Sequence, residues 1–190
     1  MGGFVIKIEG LEKTMQRFMP KHYEPQVQKA FDKFGINADR EAKQLAPTDE
    51  GLLKNSIYHD VVPLGSIVGC SVEYAAYVEF GTRKYAAAYV STLPEDWKQL
   101  AAQAKGKGTG SFEEFVLRIT KWVQRKGIGA QITVSGNVSK SKSSLAAQKQ
   151  AAYLIARKII VEGIKPQPYL KPAVDMASVQ LLKDLNNIKL

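Results

Sequence analysis

Cysteine and histidine are almost absent: one Cys and two His in 190 residues. A single thiol, Cys70, excludes an intrachain disulfide framework and suits a reducing compartment. The two histidines, His22 and His59, have no Cys, Asp or Glu at ligand spacing. His59 and Asp60 are neighbours, and on a strand neighbours point to opposite faces, so no metal site is expected. No apolar run approaches the roughly 18–20 residues of a membrane helix, and no membrane partner is expected. The opening residues, Met1-Gly-Gly-Phe-Val-Ile-Lys-Ile-Glu9, lack the basic region and long apolar run of a secretory leader. Without secretion the sequon Asn137-Val-Ser139 carries no meaning. No internal repeat stands out.

Catalytic patterns are missing too. Gly106, Gly108 and Gly110 lack the preceding strand and the Gly-Lys-Ser/Thr ending of a phosphate loop, and read as a flexible joint. Asp49 and Glu50 are adjacent carboxylates in a turn and read as solvated. Cys70 alternates with Val68 and Val72 and reads as a small buried hydrophobe. No acid–base or nucleophile constellation is present, so the chain is not expected to be an enzyme or to hold a cofactor.

What is present is apolar content and unevenly placed charge. The chain is 45% hydrophobic, enough for a real core, and its length suits one domain or one domain with an insertion. The net charge is +9. Residues 83–165 hold 15 Lys+Arg against 5 Asp+Glu, and the remainder 12 against 13, so +10 and −1 give the total. Such an excess is either a solvated helical surface or a face for nucleic acid or an acidic protein.

Phe4–Glu9 is a short β-branched strand candidate, followed by a helix start at Leu11–Phe18 that Pro20 and Pro25 interrupt. Val27, Phe31, Phe34, Ala38, Ala42 and Leu45 then recur at three- and four-residue steps, the stripe of a core helix packed on a sheet. Pro47 ends it and Gly51 allows a reversal. Leu52–Val62 and Ser66–Tyr74, joined by Pro63-Leu-Gly65, read as an antiparallel hairpin. The alternation stops at Ala75, and Ala75–Phe80 reads as a compact apolar turn closed by Gly81. Arg83–Val90 is ambiguous. A helix follows Pro94. Ser111-Phe-Glu-Glu114 is a capping box, opening a helix that buries Phe112, Phe115, Val116, Ile119 and Val123 and closes at Gly127. A polar loop with room for a small hairpin at Ile132–Val138 leads to a helix over Ser144–Glu162. Leu145, Ala152, Ile155 and Ile159 share one of its faces, and Gly163 caps it. Pro166–Pro172 is a stiff extended clasp. The last helix starts near Pro172, with Val174, Ala177, Leu181, Leu185 and Ile188 as its stripe.

The aromatic residues Tyr74, Tyr77, Phe80, Tyr85 and Tyr89 cluster with Arg83 and Lys84. They read either as filling between elements and subunits or as a nucleotide-stacking surface. Glu79 stands out, because an acid in an apolar turn is not there for packing. It is expected to accept hydrogen bonds from nearby backbone N–H groups or to pair with a cation such as Arg83.

Three segments carry a resemblance: Pro47-Thr-Asp-Glu-Gly-Leu-Leu-Lys-Asn-Ser-Ile57, Tyr74-Ala-Ala-Tyr-Val-Glu-Phe-Gly-Thr82 and Gln167-Pro-Tyr-Leu-Lys-Pro-Ala173. In this order they resemble the tail-completion (neck, head–tail joining) proteins of long-tailed bacteriophages. Glu50 stands where that family usually has threonine, and Tyr169 where it has phenylalanine. The span between Thr82 and Pro168 is longer than in short members. The resemblance implies an α+β fold: a small antiparallel sheet packed against a long helix, with a helical insertion and a C-terminal helix. Residues 1–82 would form the first part of the core, 83–165 a basic helical insertion, and 166–190 the clasp and helix that complete the core. It further implies a non-enzymatic virion protein, assembled in the host cytoplasm as a homo-oligomeric ring, a hexamer. Its partners would be copies of itself, the connector or stopper, and the tail terminator or tail tube, around the packaged DNA. Gly51, Ser56, Tyr74, Tyr77, Glu79, Phe80, Gly81, Thr82, Pro168, Tyr169, Leu170 and Pro172 would be its structural and interface residues. Arg118, Lys121, Arg125, Lys126, Arg157 and Lys158 would face the DNA lumen or an acidic partner. The alternative is a nucleic-acid-binding protein using the basic helices.

Overall fold

The computed structural model describes residues 4–7, 23–104, 111–128 and 142–188. The fold is α+β, a small antiparallel sheet against a long helix. That helix, α1 (Glu24–Leu45), opens with an acid and a proline in its first turn, both favourable there: the acid faces the positive helix end and proline has its φ preset. Val27, Phe31, Phe34, Ala38 and Ala42 are buried as the stripe predicts, together with Ala30 and Gly35. Leu45 is not: it is exposed, and Ala46 takes the buried place at the end of the helix.

The sheet has strands β1 (Phe4–Lys7), β2 (Ile57–Val62) and β3 (Gly65–Cys70) in the order β1-β3-β2. Both pairings are antiparallel. The register sets Ile57, His59 and Val61 opposite Cys70, Val68 and Ser66, and this face meets α1, because Gly35 lies against Ser66 and His59.

Two boundaries differ from the sequence pattern. Leu52–Asn55, expected to be extended, forms a short helix, α2. The Ser56 hydroxyl donates to the Leu53 carbonyl at 2.7 Å and closes that turn, so the strand begins only at Ile57. The return strand ends at Cys70 rather than Tyr74. Ser71 N–H still bonds Ser56 O, but Ala75 N–H then bonds Val72 O, and the chain coils into α3 (Ala75–Phe80) where a turn was expected. The alternation of Val72 and Tyr74 was continued by chance beyond the sheet.

Gly35 is set by packing. A Cβ there would lie 2.2 Å from the Ser66 hydroxyl oxygen. Helix propensity alone would make Gly35→Ala stabilising by about 1 kcal/mol. We expect the opposite sign, a net loss of about 1–2 kcal/mol in denaturant unfolding, from overpacking against a buried strand. Adding Ser66→Ala, which removes the clashing oxygen, should recover most of it.

The expected insertion 83–165 divides in two. Helices α4 (Arg83–Val90) and α5 (Glu95–Gln103) join the main core. Leu93 and Trp97 are buried there, with the Trp97 ring edge-on to Phe80 at 6.3 Å. Helices α6 (Phe112–Arg125) and α7 (Lys142–Glu162) instead pack on each other. Both halves of the Ser111–Glu114 capping box are made, at 3.2 and 3.3 Å. Among the described residues, the buried ones of this pair are Thr120 and Val123 on α6 and Ala152 and Ala156 on α7. None of the four belongs to the main core. Phe112, Phe115, Val116 and Ile119, expected to be buried, are half-buried, and Leu145 is exposed. Two helices alone cover only the seam between them, and small alanines let that seam close. The Leu11–Phe18 helix, His22, the glycine joint and the Ile132–Val138 hairpin lie outside the described residues.

Helix α8 (Leu170–Asn186) starts two residues before Pro172, which falls in its first turn, where proline is tolerated. Leu170, Ala173, Val174, Ala177 and Leu181 are buried, and the helix lies along α1.

Candidate functional site: a buried clasp and a basic arm

The short α3 and the strap before α8 meet through one carboxylate. Glu79 has no exposed surface. Its Oε2 accepts the backbone N–H groups of Tyr169 and Leu170 at 2.8 and 2.9 Å, and Oε1 accepts that of Lys171 at 3.0 Å. These are donors at the N-terminus of α8, which the helix itself leaves unpaired. The expectation of backbone partners is met, but by groups 90 residues along the chain, not by neighbours. Two effects oppose each other. Burial pushes the Glu79 carboxyl above its ordinary value, while the three N–H groups and the Lys171 charge pull it down, and burial prevails.

The strap is held beside the carboxylate by three further bonds. Thr82 N–H donates to Ile164 O at 2.9 Å, and Gln167 N–H to Val78 O at 2.8 Å. Ile164 N–H donates to the Thr82 hydroxyl at 2.8 Å. Two glycines allow this approach. Gly81 has φ 72° and ψ −168°, a region closed to other residues. A Cβ on it would meet Ile164 O at 2.7 Å and Pro166 at 2.9 Å. Gly163 has φ 94°, and its Cβ would lie 2.2 Å from Thr82 O.

The first motif segment reaches the same place. The Ser56 hydroxyl and the Cys70 thiol are 2.9 Å apart. Tyr169, wholly buried, stands against Cys70, and burial with that neighbour pushes its phenol far up. Glu79 thus joins the second and third motif segments, and Cys70 brings Ser56 of the first against the same core, where the buried Tyr169 hydroxyl has no hydrogen-bond partner among the described residues. Cys70 is buried, as read, but packed against polar atoms rather than only apolar ones.

The aromatic group does not form one stacking surface. Phe80 is in the core and Tyr89 packs on it. The Tyr85 hydroxyl donates to Glu162 at 3.3 Å, with the Lys84 and Lys165 ammonium groups 5.1 and 5.9 Å from its ring centre. Tyr77 is half-buried and Tyr74 exposed.

The six cations singled out in the sequence separate into two sets. Arg125 binds Asp49 at 2.9 Å and also Glu50, and Lys126 binds Asp49 at 2.9 Å. Lys126, first by its hydrogen bond, holds the Asp49 carboxyl below its ordinary range. Asp49 and Glu50 are exposed, as read, and their surface ion pairs link the end of α6 to the turn after α1. Nothing in the sequence pairs residues 49–50 with 125–126. Arg118, Lys121, Arg157 and Lys158 are exposed. His59 Nδ1 lies 3.7 Å from Asp39, and among the described residues no cluster of three or more His, Cys, Asp or Glu could hold a metal ion. No described helix is long and apolar enough to cross a membrane. Compared with known proteins, the chain matches no family model, no curated sequence and no solved structure.

Proposed function

We propose that this chain is a structural protein of a phage neck, forming a ring that completes the tail and joins it to the head connector around the DNA path. One observation carries the reading: of the three separated segments that resemble tail-completion proteins, the second and third are joined through the buried Glu79 carboxylate, and Ser56 of the first contacts Cys70 in the same core. Segments that share a motif without sharing a fold have no reason to converge in this way. The mechanism is assembly. A rigid clasp fixes α8 on α1 and leaves the arm of α6 and α7 projecting contact surface toward partners. Antibody raised against the chain and viewed on virions by immunogold microscopy should mark the head–tail junction. Label confined to the capsid shell or the tail tip removes the reading.

The exposed set Arg118, Lys121, Arg157 and Lys158 supports a second reading, binding of nucleic acid. It requires retention of duplex DNA at low salt that falls steeply as salt rises. No retention at low salt removes it.

A further inference from the structure

The arm and the rest of the chain are built separately and tied by charge. Helices α6 and α7 bury Thr120, Val123, Ala152 and Ala156, and none of their described apolar residues belongs to the main core or packs on it. Apolar burial therefore holds the arm together without holding it to the body. The ties that cross between the two are polar. Arg125 reaches Glu50 and, at 2.9 Å, Asp49, and Lys126 reaches Asp49 at 2.9 Å. From α7, Glu162 accepts Lys84 at 3.1 Å and the Tyr85 hydroxyl at 3.3 Å. The four side chains of the first group are open to water, with between 39% and 51% of each exposed.

The two junctions differ in kind. At the end of α7, Gly163 has φ 94°, and the residue after it is pinned, with Ile164 N–H on the Thr82 hydroxyl and Thr82 N–H on Ile164 O. A glycine beside a fixed residue is where backbone rotation is least costly. Glu162 adjoins that point, so its bonds to α4 shift little when the arm turns. The group formed by Asp49, Glu50, Arg125 and Lys126 is far from Gly163 in sequence and has to part. Exposed ion pairs are individually weak and are screened by salt. Two adjacent acids against two adjacent bases, with Arg125 shared, make a small network. It is stronger than one pair and weaker than the buried hydrogen bonds of the clasp, so it opens without unfolding either part. We propose that this network is a latch. Helices α6 and α7 turn as one unit about Gly163 between a docked position, with Arg125 and Lys126 on Asp49 and Glu50, and a released position in which all four charges stand free. The inference does not depend on the ring reading above.

The test is a spin-label distance measurement on the full chain, labelled at Lys29→Cys on α1 and Gln150→Cys on α7. Both positions are exposed, and Cys70 is buried and stays unlabelled. Position 150 lies about 20 Å from Gly163 along the helix, so a turn of the arm displaces it measurably. With the latch intact, dilute buffer should give one narrow distance, the released form being under about a tenth of the molecules. Asp49→Lys/Glu50→Lys should make a second, shifted distance the major one. Salt at about 1 M, where the screening length is about 3 Å, should do the same to the unreversed chain. Adding Arg125→Glu/Lys126→Glu to the Asp49→Lys/Glu50→Lys chain restores opposite charges across the latch and should return the narrow distance at low salt. Asp49→Asn/Glu50→Gln, which removes charge with little change of shape, should also release the arm and serves where a reversed chain does not fold. Circular dichroism and the unfolding midpoint should stay at their original values throughout, since no core residue is changed. One narrow distance that persists in every variant and at high salt overturns the latch. A broad distribution in the unreversed chain at low salt overturns it too. So does a second distance accompanied by loss of helix or a lower midpoint, which is local unfolding rather than a turning arm.

Discussion

Glu79→Ala is expected to lower the stability of the fold by about 3–5 kcal/mol, because it removes the acceptor of three backbone donors at a buried place. The N–H groups of Tyr169, Leu170 and Lys171 would lose their acceptor together. For a chain of this size each kcal/mol moves the thermal midpoint by about 2–4 °C, so a fall on the order of 10 °C is predicted. Glu79→Gln separates charge from geometry. One amide oxygen can still accept two of the three N–H groups, so its loss should be less than half as large. The pH dependence gives a sign. Burial holds the Glu79 carboxyl above its ordinary 4.5 in the folded chain, so over that interval the folded state binds more protons than the unfolded one. The carboxyl's contribution is therefore largest below pH 4.5 and declines as pH rises toward the raised value. The wild type's advantage over Glu79→Gln in denaturant unfolding should shrink in that direction. An advantage that grows with pH contradicts the assignment.

The second large effect is at Gly81. Its conformation costs any other residue about 1–3 kcal/mol in backbone strain alone. A methyl group would in addition press on the backbone carbonyl of Ile164 and on the Pro166 ring, neither of which can rotate away. Gly81→Ala should therefore cost about 3 kcal/mol or more, well beyond a typical surface substitution. The damage should be local first. Hydrogen exchange at the amides of Thr82, Ile164 and Gln167, which hold the strap, should accelerate more than exchange in α1. A thermal midpoint unchanged in Gly81→Ala would mean that the strap is not held by this approach.

Local chemistry made much of this fold legible in the sequence. The stripe Val27–Ala42 specified α1, because side chains at those steps share a helix face. Ser111 with Glu114 specified the start of α6, because both halves of that box are close in sequence. Gly81 was legible as a position of unusual backbone, although its neighbours were not. What failed was what tertiary contact decides. Leu52–Asn55 carries strand-compatible residues, and only the turn closed by Ser56 makes it helical. Val72 and Tyr74 continue a period of two past the last paired residue. Glu79 was visible as an anomaly from its apolar setting, and its need for donors followed. That the donors belong to α8, 90 residues on, had no local signal. Asp49 and Glu50 are solvent-exposed as read, but their ion-pair partners on α6 had no local signal either.

Sorting the basic residues by their contacts changes which substitutions are informative. Reversing Arg125 and Lys126 breaks an internal tie as well as any external contact, so its effect cannot be assigned to a partner. Arg157 and Lys158 are exposed and make no ion pair among the described residues, and the one acid within a turn of them, Glu162, is hydrogen-bonded to Lys84 and Tyr85.

The most direct test of the central claim is electron microscopy of particles produced when the gene for this chain is disrupted. A neck protein predicts filled heads and finished tails lying side by side, unable to join, with infectivity restored by adding the chain back. Complete, infectious virions assembled without it would contradict the account.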